Sequence, residues 1–326
     1  DRVNIIFMGN PEFAVPSLKK IVESEYVLLA VVSNPSKPIG RNKTEKITKV
    51  GEFAKSQSIP LFQPQTLDDP EFLKEMNTLN PDYFLVVAFK ILPTSLLTIP
   101  EKGSINLHAS LLPKYRGAAP IQRAIMNGER ETGLTTFIIR RLVDTGLILM
   151  QMKVPINASD NFGTLSKKMS KKGADLLLNT LNRLKDNSLS PREQDHSNAT
   201  SAPKIKVSDT RIDWAQPAEI IHNQIRGLAP KPGAFTYFNG MRIKILRSSI
   251  QQSSRKQNSG SVVFCDKKQL IIQAGDEHIK LLTIQREGKK TMETPDFLNG
   301  IDINIGAVSY THLRAHETLR LSRMPS

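Results

Sequence analysis

Cysteine is almost absent: Cys265 is the single one in 326 residues. That excludes an internal disulfide and fits a reducing cytosol. Cys265 closes the apolar run Ser261-Val262-Val263-Phe264-Cys265, where core packing is expected of it rather than nucleophilic chemistry. Long hydrophobic runs are missing too. None approaches the ~18–20 residues that span a bilayer, and no secretory segment opens the sequence. The chain is therefore expected in the cytoplasm, away from membranes. Glycine is sparse where a dinucleotide would need it. Only Gly9 follows the first strand, so there is no GxGxxG. No convincing metal-ligand cluster occurs, and no metal is expected. His312 and His316 alone have ligand spacing on a helix.

What is present describes a globular protein: 39% hydrophobic and 23% charged residues, in a length that holds two ordinary domains. The net charge is +14. Residues 1–190 carry 25 Lys+Arg against 18 Asp+Glu, residues 191–308 carry 17 against 12, and residues 309–326 carry 3 against 1. Positive charge spread over both halves suits a polyanionic partner, although a solvated basic surface accounts for charge alone equally well.

The opening reads strand (3–8), turn, helix (16–24), strand (27–32), the start of an open parallel sheet. Residues 35–49 hold Lys37, Arg41, Lys43, Lys46 and Lys49 against Glu45 alone, without apolar periodicity, and read as a surface loop. Helices are expected at 52–57 and 71–79. The unbroken apolar run 83–88 reads as a central parallel strand. Further elements follow: a helix at 121–127, strands at 134–139 and 147–154, and a helix at 161–184 whose lysine face (Lys167, Lys168, Lys171, Lys172) reads as solvated. Residues 186–211 are polar and aperiodic. After a helix at 218–226, five short strands (235–238, 242–250, 261–265, 270–274, 278–283) suggest a small barrel of the oligonucleotide-binding type, with Asn239-Gly240 as a hairpin turn.

The stretch Ser104-Ile105-Asn106-Leu107-His108 offers a candidate for chemistry. Side chains two apart on a strand share a face, so Ile105 and Leu107 pack while Asn106 and His108 point together the other way. An amide beside an imidazole can stabilise developing charge and move a proton. Pro113, Gly117 and Pro120 turn the chain at once, which puts the pair at a rim. Taken alone, an Asn-x-His pair is more often structural than catalytic.

Asn106-Leu107-His108-Ala109-Ser110-Leu111-Leu112-Pro113, followed by Tyr115-Arg116-Gly117-Ala118-Ala119-Pro120, resembles the signature of the folate-dependent formyltransferases. Asp144-Thr145-Gly146 resembles that family's second motif. Met8-Gly9-Asn10-Pro11-Glu12-Phe13-Ala14, with the Ala202-Pro203-Lys204-Ile205 and Arg211-Ile212-Asp213-Trp214 segments, is similar to the members acting on methionyl-tRNA. The likeness runs over about 3–306. It departs at Phe89-Lys90, where many relatives carry an extra glycine, and at Leu147, commonly an acid.

The resemblance implies a Rossmann-like, mostly parallel α/β domain at 1–185, a linker at 186–213 and an OB-like tRNA-binding domain at 214–306. It implies formyl transfer from 10-formyltetrahydrofolate to methionyl-initiator tRNA by a monomer without a metal. Asn106, His108 and Asp144 would be catalytic. Ser110, Leu111, Leu112 and Pro113 would form part of the folate site, with Ile91, Leu92 and Val143 around the pterin. Lys37, Arg41 and Lys43 would reach the tRNA acceptor end. Three alternatives stand beside it: a purine-pathway glycinamide ribonucleotide formyltransferase, which normally lacks the second domain, a formyltetrahydrofolate hydrolase, and a non-catalytic basic RNA-binding protein. Asp1 is not an initiator, so an upstream methionine is expected, and 307–326 reads as a non-native tail.

Overall fold

Apolar runs too short for helices and flanked by turn residues become the strands of the first sheet. The computed structural model describes residues 2–303, so the expectations placed on 304–326, including His312 and His316, lie outside the described residues. In chain order come β1 (Asn4–Gly9), α1 (Val15–Val22), β2 (Val27–Val32), β3 (Lys37–Ile39), β4 (Thr44–Lys46), α2 (Lys49–Ser56), β5 (Leu61–Phe62), α3 (Pro70–Leu79), β6 (Tyr83–Val87), α4 (Thr94–Leu97) and β7 (Gly103–His108). Then follow α5 (Pro120–Met126), β8 (Glu131–Ile138), β9 (Ile148–Pro155) and α6 (Phe162–Lys185). The sheet order is β5-β2-β1-β6-β7-β8-β9. Its first five strands are parallel, while β8 and β9 run antiparallel to their neighbours. The carboxyl ends of β1, β2, β6 and β7 therefore share one edge, the edge where open α/β sheets bind ligands.

Local chemistry fixes the helix starts. Asp69 accepts the Phe72 N–H at 3.0 Å and Pro70 occupies the first turn of α3, which Asn80 ends in the left-handed conformation. Thr48 caps α2 through the Gly51 N–H, so that helix begins three residues before the expected Glu52. The stretch 35–49 differs from the expected plain loop: β3 and β4 form an exposed antiparallel hairpin, with Gly40 (φ 77°) and Lys43 (φ 48°) in its turn.

The contacts divide the chain into two units, Asp1–Pro120 with Glu131–Pro155 and Leu165–Pro203, and Ile121–Arg130 with Ile156–Thr164 and the chain from Lys204. Residues 192–203, polar in sequence, are thus pinned within the first unit: Arg192 pairs with Ile148, and the Arg116 N–H donates to Thr200 O.

The second unit adds α7 (Val207–Thr210), α8 (Ala218–Leu228), β10 (Ala234–Phe238), β11 (Met241–Gln251), β12 (Val262–Cys265), β13 (Leu270–Gln273), β14 (His278–Arg286), β15 (Thr291–Glu293) and α9 (Thr294–Leu298). Its antiparallel sheet runs β10-β11-β14-β13-β12, and β15, absent from the sequence expectation, pairs with β14. Register shifts near Arg247 curl the long β11. Asn239 (φ 49°) and Gly240 (φ 74°) make the tight β10–β11 turn. Ile221, Ile225 and Leu228 of α8 bury against the sheet beside Trp214, whose indole N–H donates to Thr236 Oγ1. Cys265 is half-buried at the edge of this core, and burial pushes its thiol pKa up, away from nucleophilic use. No helix among the described residues is long and apolar enough to cross a membrane.

Candidate active site

Strand alternation in β7 sends Ile105 and Leu107 into packing and Asn106 and His108 to the other face. Asn106 pairs in register with Val86 and Phe137, and His108 with Thr135. The amide is half-buried, while the imidazole is 7% exposed. Its Nε2 stands 2.8 Å from the carbonyl oxygen of Tyr115. Since a carbonyl only accepts, Nε2 carries the hydrogen and Nδ1 faces the other way.

Asp144 meets that second nitrogen. Its Oδ2 lies 3.7 Å from His108 Nδ1 and accepts the Gly117 N–H at 2.7 Å. Asp144 is left-handed (φ 56°), and a Cβ on Gly146 would fall on the Ile138 carbonyl oxygen. The Asp-x-Gly turn therefore needs glycine at its last position. Tyr115 (φ 57°) and Gly117 (φ 123°) make the opposing turn. His108, the last residue of β7, is thus held by the Tyr115–Gly117 turn, which also holds the turn that carries Asp144.

The segment after β7 is tied down by hydroxyls and amides. Ser110 is fully buried and its hydroxyl donates to Lys114 O. Thr135 Oγ1 donates to Ser110 O and accepts the Leu112 N–H, and Gln151 donates to Leu112 O. The Leu112–Pro113 bond is cis. Leu112 packs with Phe137 and Ile148, and Leu92 packs in the cluster that holds Leu96, with Ile139 against both. Leu111 and Pro113 are half-buried. By contrast Ile91 and Leu142 are each 70% exposed and Val143 46% exposed. These are large apolar side chains exposed on loops. Lys37, Arg41 and Lys43 all stand exposed on the β3–β4 hairpin, which leaves the carboxyl end of β2. Among the described residues no group of three or more His, Cys, Asp or Glu is placed to hold a metal ion.

Residues 2–181 match the formyl transferase family and residues 204–302 its C-terminal domain. The chain belongs to the formyl transferase family. A curated relative from Caldanaerobacter subterraneus subsp. tengcongensis, named methionyl-tRNA formyltransferase, is 43% identical over 308 residues, covering 94% of this chain and 99% of that one. Two solved structures share the fold. WlaRD, a sugar 3N-formyl transferase solved with dTDP and 5-N-formyl-THF, has a TM-score of 0.64 at 22% identity, covering 89% of this chain and 100% of that one. HypX from Aquifex aeolicus, in complex with tetrahydrofolic acid, has a TM-score of 0.65 at 14% identity over 94% of this chain. This formyl transferase chain spans about half the length of HypX, 51% of it.

Three groups around His108 and Asp144 carry no signal in the sequence. The Tyr115 carbonyl that selects the imidazole tautomer is invisible because any residue has one. Thr135, which links the β7 exit to β8, reads only as a strand threonine. Gln194 is 5% exposed under the Asp144 turn, yet sits in a polar stretch with no periodicity to mark it.

Proposed function

We infer that this formyl transferase moves the formyl group of 10-formyltetrahydrofolate onto the α-amine of methionine esterified to initiator tRNA. The observation that carries the reading is His108 facing Asp144 at 3.7 Å, with Asn106 two residues before His108 on the same face of β7, in a chain 43% identical to a methionyl-tRNA formyltransferase along nearly its whole length. In this reading residues 1–185 hold the chemistry, 186–213 join the halves, and 214–306 dock the tRNA, in a monomer working in the cytoplasm.

The folate supplies an activated formyl carbon, and exposed Ile91, Leu142 and Val143 offer its flat ring an apolar surface. Ser110 to Pro113 would shape the rest of that pocket through main chain and packing, since the Ser110 hydroxyl already serves Lys114 O. The methionyl nitrogen attacks the formyl carbon, and the carbonyl electron pair moves onto oxygen. Asn106 donates an amide N–H to that oxyanion. His108 has Nε2 committed to Tyr115 O, so protonated Nδ1 gives the second hydrogen bond. A donor of this kind is worth ~10²–10³ in kcat. Asp144 balances the imidazolium and accepts the proton leaving the amine. That proton ends on N10 of the folate as the C–N10 bond breaks, closing the balance. Lys37, Arg41 and Lys43 extend a cationic hairpin from the same sheet edge to the acceptor end, with Arg41 suited to forked phosphate contacts.

Product identity tests the reading. Offered 10-formyltetrahydrofolate with methionyl-tRNA, glycinamide ribonucleotide or buffer alone, the protein should give formylmethionyl-tRNA. Formate release alone would make it a hydrolase, and formylation of the ribonucleotide alone would make it a purine enzyme.

A further inference from the structure

Gln194 lies in the polar stretch after α6, yet its side chain is buried beneath the Asp144 turn. Its Nε2 donates to two main-chain oxygens at once, Asp144 O at 2.8 Å and Gly146 O at 2.9 Å. Its Oε1 accepts from Arg116, from Nε at 3.2 Å and from Nη2 at 2.8 Å. Arg116 is itself fixed by backbone pairing: its N–H donates to Thr200 O at 2.9 Å, and its carbonyl accepts the Ala202 N–H at 2.6 Å.

Arg116 stands between two residues that touch the reacting groups. Tyr115 before it holds His108 Nε2, and Gly117 after it holds Asp144 Oδ2. One amide therefore joins the turn that carries Asp144 to the turn that holds His108. The link matters because Asp144 is left-handed, a conformation that persists in a non-glycine residue only where the surroundings fix it. An amide suits the position because it must donate on one side and accept on the other.

We propose that Gln194 is a positioning residue for formyl transfer: anchored on Arg116, it holds the Asp144 turn so that the carboxylate faces His108 and the attacking amine. This rests on the reading of Asp144 and His108 as the reacting pair. Gln194 bonds the main chain of the Asp144 turn directly, and its effect on the chemistry passes through the placement of Asp144.

Two substitutions separate positioning from general support. Gln194→Glu keeps the size and the Arg116 contact, but turns an acceptor oxygen onto the Asp144 and Gly146 carbonyls. Gln194→Met keeps the length and makes no hydrogen bond. Each is made in the full-length protein with Asp144 intact and again with Asp144→Asn, and formylation of methionyl-tRNA is followed in steady state. With Asp144 intact, kcat should fall about tenfold to a hundredfold, the scale on which small misplacements of a reacting group act. KM for both substrates should stay within about twofold. In the Asp144→Asn background the same substitutions should cost less than about twofold more, because the group they position is already gone. Equal fold losses in both backgrounds, an unchanged kcat, or failure of both variants to fold would overturn the proposal. Near-wild-type turnover of Asp144→Asn alone would instead overturn the catalytic reading beneath it, and the two failures are read from different variants.

Discussion

Gly117→Ala is the sharpest single perturbation of the two-turn site. Gly117 has φ 123°, and an added Cβ would lie 2.7 Å from the Ala202 carbonyl oxygen, a backbone atom that cannot swing away. The backbone penalty is about 1–3 kcal/mol. That oxygen also accepts the Ala119 N–H at 3.0 Å, so pushing it aside weakens a bond worth about 0.5–1.5 kcal/mol. Together the loss is about 2–4 kcal/mol, or roughly 5–15 °C in the Tm of the first unit at the usual 2–4 °C per kcal/mol for a domain of this size. Because the Gly117 N–H holds Asp144 Oδ2 at 2.7 Å, kcat should fall about tenfold as well. Gly40→Ala is the internal control, for Gly40 also has positive φ (77°) but no atom within 4 Å of the added Cβ. Both substitutions bear the cost of positive φ, so scanning calorimetry should show Gly117→Ala losing about 0.5–1.5 kcal/mol more than Gly40→Ala, the share of the close approach to Ala202. Equal losses, or a fully active Gly117→Ala, would refute the argued close approach to Ala202.

Arg41→Ala should cost about 1–3 kcal/mol in kcat/KM for methionyl-tRNA, whereas Lys43→Ala should flatten the salt dependence by about one unit of slope. Neither should change folate binding, and kcat/KM measured against salt for each variant checks both statements. Tyr26 is buried with its hydroxyl donating to Asn182 Oδ1 at 2.8 Å, and burial pushes its pKa up from 10.0 to about 12. A pKa raised on folding gives stability that is complete below pH 10 and lost as pH rises towards about 12. Alkaline unfolding followed at the phenolate absorbance should therefore steepen over that window, and Tyr26→Phe should flatten it.

The strands were legible where burial writes itself into the sequence. The apolar run 83–88 reads as a central strand, of which β6 takes Tyr83–Val87, and the Ile105, Leu107 alternation sets Asn106 and His108 on one face, as β7 does. The β3–β4 hairpin was not legible, because every residue of its two strands is exposed and Pro38 argues against pairing. β15 escaped for the same reason: three residues with exposed ends carry no pattern. At the site, sequence motifs singled out side chains but not the main chain that holds them. The Tyr115 carbonyl and the Gly117 N–H act through left-handed turns that only the glycine at 117 hints at. Gln194 and Arg116 lie 78 residues apart, and no local signal announces a tertiary pair at that separation.

In the proposed function His108 and Asp144, facing each other at 3.7 Å, carry out formyl transfer to the methionyl amine. Its most direct test is the single-turnover rate of formylmethionyl-tRNA formation, with enzyme in excess and 10-formyltetrahydrofolate saturating, for the wild type, His108→Ala and Asp144→Asn. The expected result is a fast wild-type rate and a loss of ~10²–10⁴-fold in each variant, with methionyl-tRNA binding and folding retained. A folded His108→Ala or Asp144→Asn that forms the product at near the wild-type rate would contradict it.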